Sequence, residues 1–180
     1  MGKIIFVTGG ARSGKSSFAE SIFKGEKEVV YIATSRIYDE EMQDRVAMHR
    51  QSRPQTWTTF EGCYKIADAV CDAKNYLLDC VTVLCSNIMF DITKDTDKIS
   101  IEMQREVENV VMGEIQTLID KVKKMGGNLV MVTNEVGCAI VPESHVGRVY
   151  RDIIGRVNQR TAALCDEVYF VVCGISQKIK

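Results

Sequence analysis

Proline is almost absent from this chain of 180 residues: there are two, Pro54 and Pro142, and both fall in connections between periodic stretches. Histidine is equally scarce, with only His49 and His145. Charge of one sign is not in excess. The net charge is −1, which excludes the global basic field of a general nucleic-acid binder, so an anionic ligand must be met by local positive charge. No apolar run approaches membrane-spanning length, which argues against membrane insertion. The start of the chain leads straight into an apolar strand pattern, with no leader expected. Met1-Gly2 opens like a myristoylation signal, but Phe6 stands where Ser or Thr is wanted. Seven cysteines are present without a single C-x-x-C pair, so the spacing of a zinc site is missing. Internal repeats, low-complexity segments and linkers are missing too.

What remains is an ordinary globular composition, 46% hydrophobic and 26% charged, over a length that suits one domain spanning 1–180. The cysteines, at 63, 71, 80, 85, 138, 165 and 173, lie in several cases within apolar stretches. They read as reduced, mostly buried thiols of a cytoplasmic protein.

The richest local signal is Gly9-Gly10-Ala11-Arg12-Ser13-Gly14-Lys15-Ser16. It follows the apolar run Ile4-Ile5-Phe6-Val7-Thr8 and precedes a helical pattern, as a G-x-x-x-x-G-K-S phosphate loop requires. Glycines let the backbone curl so that its N–H groups face one anion, and the helix N-terminus adds the positive end of its dipole. Lys15 is expected to reach the β- and γ-phosphates and Ser16 to ligate Mg²⁺. The chain is therefore expected to bind a nucleoside triphosphate.

Apolar runs at 3–8, 29–33, 75–79, 128–133 and 167–173 read as strands. Thr56-Trp57-Thr58-Thr59-Phe60 is a candidate short extra strand. Amphipathic stretches at 15–24, 38–51, 63–72, 81–91, 99–124 and 144–164 read as helices, with Gly126-Gly127 ending the longest. The alternation predicts an α/β fold, P-loop NTPase-like, with a mainly parallel sheet and helices on both faces. In such a sheet ligands bind beyond the carboxyl ends of the strands. The phosphate loop, Thr34-Ser35-Arg36, Asp79 and Thr133-Asn134-Glu135 should thus crowd around one site.

Asp79 ends an apolar strand and can hold Mg²⁺ as a Walker B acid does, or cap the next helix. The stretch from Asp39 to Pro54 carries Arg45, His49, Arg50 and Arg53, with Arg45 and His49 on one helix face. A solvated basic face explains that pattern. So does catalysis, since neighbouring cations keep an imidazole neutral and nucleophilic toward an α-phosphorus and stabilise phosphate charge. His145 reads as a surface residue at a helix start. The polar residues Arg148, Arg151, Asp152, Arg156, Asn158, Gln159 and Arg160 form either the outer face of an amphipathic helix or a surface for a substrate or neighbouring subunit.

Several segments together resemble the bifunctional adenosylcobinamide kinase / adenosylcobinamide-phosphate guanylyltransferase family. They are Thr8 to Ser16, Tyr31-Ile32-Ala33-Thr34-Ser35, and Asp39-x-Glu41-Met42-x-x-Arg45-Val46-x-x-His49. Arg53-Pro54-x-x-Trp57-x-Thr59-x-Glu61, Leu77-Leu78-Asp79-Cys80-x-Thr82 with Asn87, and Thr133-Asn134-Glu135-Val136-Gly137 follow. The series ends with Ile140-Val141-Pro142 and Arg151-Asp152-x-x-Gly155-x-x-Asn158-Gln159. The resemblance runs from end to end, and the Arg–His–Arg-Pro–Trp-Thr-Glu and Thr-Asn-Glu-Val-Gly series are far more specific than the phosphate loop.

The resemblance implies two reactions. One phosphorylates adenosylcobinamide with a nucleoside triphosphate, GTP or ATP. The other takes GMP from GTP onto His49 and passes it to adenosylcobinamide phosphate. It also implies nucleotide contacts from residues 9–16, from Thr34, Ser35 and Arg36, from Arg50, Gln51, Ser52 and Arg53, and from Glu61 and Asp79. Mg²⁺ would be shared by Ser16 and Asp79, and the assembly would be a homo-oligomer, a trimer. Ala139 departs from the family's usual glycine, which matters if that position needs a positive φ. The residues by themselves leave two other readings: a phosphate-loop kinase of another small metabolite, and a nucleotide-binding switch.

Overall fold

A computed structural model describes residues 2–36, 54–94, 96 and 98–180. The predicted helix over 38–51 therefore lies outside the described residues. The strands are β1 (Ile4–Gly9), β2 (Val29–Ala33), β3 (Thr58–Glu61), β4 (Asn75–Asp79), β5 (Asn128–Asn134), β6 (Glu167–Val172) and β7 (Ile175–Lys178). The helices are α1 (Lys15–Ile22), α2 (Val81–Thr93), α3 (Ile101–Lys124) and α4 (His145–Leu164). One sheet joins all seven strands in the order β3-β2-β4-β5-β1-β6-β7, parallel throughout except for β7, which runs antiparallel to β6.

Strand alternation sorts the core into two layers. Ile4, Phe6, Ile32, Tyr76, Leu78, Leu129 and Met131 face α2, α3 and α4, while Ile5, Val7, Tyr31, Leu77, Val130 and Val132 face α1 and Trp57. Helices therefore cover both faces, as the sequence pattern predicts. Ser100 and Ser144 cap α3 and α4 by accepting from the amides of Met103 and Gly147. Gly126, at φ 70°, closes α3: its N–H bonds to the Lys123 carbonyl and that of Gly127 to the Val122 carbonyl.

Two expectations need correction. The stretch 63–72 is not an α-helix but one 3₁₀ turn, Ile66–Ala69, bounded by Lys65 at φ 52° and extended Val70. Tertiary bonds from α3 hold it there, with Glu114 accepting from the Ile66 amide and Lys121 donating to the Ala67 carbonyl. The last strand stops at Val172 because Cys173 (φ 52°) and Gly174 (φ 78°) form a two-residue hairpin turn into β7. The extra strand near Phe60 forms as β3, at the sheet edge beside β2. Of the seven thiols, all free, four are buried and Cys71, Cys138 and Cys173 are exposed.

Candidate nucleotide site

The carboxyl ends of β1, β2, β4 and β5 lie along one edge of the sheet, and the phosphate loop leaves β1, between β5 and β6. Gly9 ends the strand where no side chain fits, since a Cβ there would stand 2.5 Å from the Val171 carbonyl oxygen. The loop turns through Arg12 at φ 59° and Gly14 at φ 93°, and α1 begins at Lys15. Ala11 and Arg12 are exposed, whereas Lys15 is buried and donates from Nζ to the Gly10 carbonyl at 3.0 Å. Burial lowers the Lys15 pKa, and neighbouring Cys80 and Asp79 push it back up. A buried ammonium over the loop supplies positive charge where a phosphate chain would lie. Ser16 is half-buried in the first turn of α1.

Asp79 ends β4, beside β5 and two strands from the loop. Its Oδ2 accepts from the Tyr31 hydroxyl at 2.9 Å, which orients the carboxylate. The peptide bond that follows is cis. The side chains of Ser16 and Asp79 are hard oxygen donors, and this donor set fits Mg²⁺, which takes one or two protein oxygens and completes its shell with phosphate and water. Among the described residues no group of three or more His, Cys, Asp or Glu could hold a metal by itself.

Thr34 is wholly buried and its hydroxyl is committed to the neighbouring strand end. It donates to the Cys80 carbonyl at 2.8 Å and accepts from the Cys80 amide at 2.9 Å. Asn87 of α2 donates to the Thr34 carbonyl at 2.8 Å. Thr82 accepts from the Asn134 amide, Tyr150 donates to the Thr82 carbonyl, and Asn158 of α4 donates to the Asn134 carbonyl. Burial raises the Cys80 thiol to about 11, which disfavours the thiolate. The strand ends are thus tied together by buried polar groups from α2 and α4.

Arg36 makes a bidentate ion pair with Asp91, both bonds 2.7 Å, and stacks over Tyr64, whose hydroxyl also donates to Asp91. Arg36 therefore flanks the site instead of pointing freely into it. The Asp91 carboxyl is held below its usual range, first by the Arg36 hydrogen bond. Ser35 is half-buried beside Arg36, and Glu61, exposed, ends β3 opposite Ala33. Beyond β5, Ile140 and Val141 are exposed, and Arg148 ties their loop by donating to the carbonyls of Pro142 and Glu143. Ala139 is not among the residues with positive φ, so replacing glycine there costs no left-handed strain. His145 is exposed at the start of α4.

The structure therefore gathers the phosphate loop, Thr34, Ser35, Arg36, Glu61 and Asp79 along one edge. His49, Arg50, Gln51, Ser52 and Arg53 lie outside the described residues. Reading for strand ends did not give roles to Tyr31, Thr82, Asn87, Tyr150 or Asn158. The available signal was a polar side chain set among apolar neighbours in β2, α2 and α4.

A family model described as cobinamide kinase / cobinamide phosphate guanyltransferase matches residues 5–179. "Bifunctional adenosylcobalamin biosynthesis protein CobU" of Escherichia coli is 45% identical over 98% of this chain and 99% of its own length. The protein of the same description from Salmonella typhimurium is 43% identical over 98% of this chain and 99% of its own. "Bifunctional adenosylcobalamin biosynthesis protein CobP" of Pseudomonas aeruginosa is 31% identical, over 97% of this chain and 95% of its own. Among solved structures, an ATPase from a bacterial type III secretion system superposes with a TM-score of 0.56 at 10% identity. The match covers 99% of this chain and 57% of that ATPase, and it carries the fold alone.

Proposed function

This chain belongs to the cobinamide kinase / cobinamide phosphate guanyltransferase family, and on that premise we propose how its residues divide the work. The chain is a transferase that phosphorylates adenosylcobinamide and transfers GMP from GTP to the phosphorylated product. One observation carries the residue-level reading: the loop 9–16, with buried Lys15, shares a sheet edge with Asp79 held by Tyr31.

In the kinase step the loop N–H groups and the α1 N-terminus receive the phosphates, and Lys15 offsets charge on the oxygens around the transferred phosphorus. The adenosylcobinamide hydroxyl attacks the γ-phosphorus, the bond from that phosphorus to the bridging oxygen breaks, the nucleoside diphosphate leaves and the hydroxyl proton passes to solvent. Mg²⁺, held by Ser16 and Asp79, would neutralise phosphate charge. In the second step the neutral imidazole of His49 attacks the α-phosphorus of GTP, forming a phosphoramidate to GMP and releasing pyrophosphate. A phosphate oxygen of adenosylcobinamide phosphate then attacks the same phosphorus, the P–N bond breaks, and adenosylcobinamide-GDP forms. Arg50 and Arg53, with Gln51, Ser52 and Glu61, complete the nucleotide contacts in this reading, and Arg36, held by Asp91, flanks them. A cytoplasmic homotrimer completes the picture. Among the described residues no helix is long and apolar enough to cross a membrane.

Incubation with adenosylcobinamide, MgGTP and MgATP, followed by chromatography of the corrinoids, tests the division of labour. Both adenosylcobinamide phosphate and adenosylcobinamide-GDP are expected, and Lys15→Ala should lower both by at least 100-fold, on the order of a lost transition-state charge contact. Near-normal turnover by folded Lys15→Ala protein refutes the assignment of the loop.

A further inference from the structure

The terminal hairpin touches the phosphate loop from behind. The Gly174 N–H donates to the Ser13 carbonyl at 2.8 Å. A Cβ on Gly14 would stand 3.1 Å from the Gly174 Cα, so the two glycine backbones pack directly. Just below, a Cβ on Gly9 would meet the Val171 carbonyl and the Ser13 hydroxyl, at 2.5 Å and 2.6 Å. Tyr169 of β6 meets Phe18 of α1 with ring centroids 5.1 Å apart. Strand β6 and its turn therefore back both the loop and the helix that follows it.

From this geometry we infer that the Cys173–Gly174 turn is a positioning element for triphosphate binding, acting through the Ser13–Gly14 peptide. In a trans peptide the C=O and N–H point in opposite directions. Holding the Ser13 carbonyl toward Gly174 aims the Gly14 N–H away from the hairpin. That N–H has no hydrogen-bond partner among the described residues. It is the loop donor that immediately precedes Lys15 and the α1 N-terminus, where backbone N–H groups cradle phosphates. The turn suits this task because both its residues are left-handed, a conformation that matches strand twist and makes the hairpin tight. The inference rests on the reading of residues 9–16 as the triphosphate loop.

Cys173 offers a ligation junction for a direct test. A 1–172 thioester is joined to a synthetic peptide 173–180 in which the Gly174 N–H is replaced by an ester oxygen. The refolded product is compared with a ligated chain of natural sequence. Losing this aim should raise KM for GTP about five- to tenfold in both transfers, the scale of one hydrogen bond. KM for adenosylcobinamide should stay unchanged. A purely structural role would lower thermal stability and the active fraction but leave both KM values alone. If the ester chain does not refold, amide exchange of the natural chain decides: by linkage a non-reacting GTP analogue should slow exchange of the Gly174 N–H about five- to tenfold while adenosylcobinamide does not, and exchange unchanged by the nucleotide overturns the inference. An unchanged KM for GTP, or an equal rise for both substrates, overturns the inference. If Lys15→Ala leaves both turnover and KM for GTP unchanged, it is the loop reading itself that has failed.

Discussion

Replacing Thr34 by Val removes one hydroxyl, strands the buried Cys80 amide and takes one of two hydrogen bonds from the Cys80 carbonyl, which keeps that from the Leu84 N–H. The side chain is almost isosteric, so shape is retained and the loss is polar. The Oγ1 now bridges the Cys80 carbonyl, at 2.8 Å, and the Cys80 amide, at 2.9 Å, in a site with about 1% exposure. The unpaired amide costs about 1–3 kcal/mol and the bond lost at the carbonyl about 1 kcal/mol, so the two together come to about 3 kcal/mol. For a chain of this size that lowers Tm by about 6–12 °C. Urea denaturation at neutral pH should show the midpoint falling by about 1–2 M with an unchanged slope. Thr34→Ser keeps the hydroxyl and loses only a methyl group, so about 1 kcal/mol is expected. The Cys80 backbone follows Asp79 directly, so Thr34→Val should also weaken Mg-nucleotide binding. A Thr34→Val midpoint within error of the natural chain, or a Thr34→Ser loss as large as that of Val, would refute the reasoning.

Other perturbations follow from the same geometry. Asp79→Asn should weaken nucleotide binding in Mg²⁺ more than in its absence, measured by titration in both conditions; equal losses would argue for a capping role. The Glu167 carboxyl is held down to about 2, first by its hydrogen bond from Lys3 and then by those from Tyr169 and Lys178. A depressed carboxylate stabilises the fold above its unfolded value near 4.5, and that contribution disappears as pH falls from 4.5 toward 2. Glu167→Gln should therefore flatten the loss of stability in that window, read by thermal melts across the pH range, and an unchanged slope would count against this linkage.

Much of the fold was legible because its signals are local. β1, β2, β4 and β5 are apolar runs in a parallel sheet covered on both sides, and such strands announce themselves by composition. β7 escaped because Ile175-Ser176-Gln177-Lys178 is an exposed edge with neither an apolar run nor a buried face. The 63–72 stretch misled because Ile66, Ala67, Ala69 and Val70 have helical composition, while its shape is set by Glu114 and Lys121, nearly fifty residues and more away. At the site, the loop and Asp79 were readable from motif and strand end. The Tyr31 bond to Asp79, the Thr34 clamp and the Arg36–Asp91 pair join elements distant in sequence, and no local pattern encodes such pairings.

The central claim is that one chain performs two chemically different transfers, the second through a covalent bond from GMP to His49. Incubation with GTP labelled at the α-phosphate, followed by denaturation and peptide mapping, tests it most directly. A P–N bond to imidazole is labile in acid and stable in base, so label should survive alkaline denaturation, leave in acid and map to the peptide containing His49. His49→Ala should abolish the label and the formation of adenosylcobinamide-GDP while still phosphorylating adenosylcobinamide, since direct γ-transfer needs no histidine intermediate. Uptake of α-label by His49→Ala protein at the natural rate would contradict the account and place the nucleophile elsewhere.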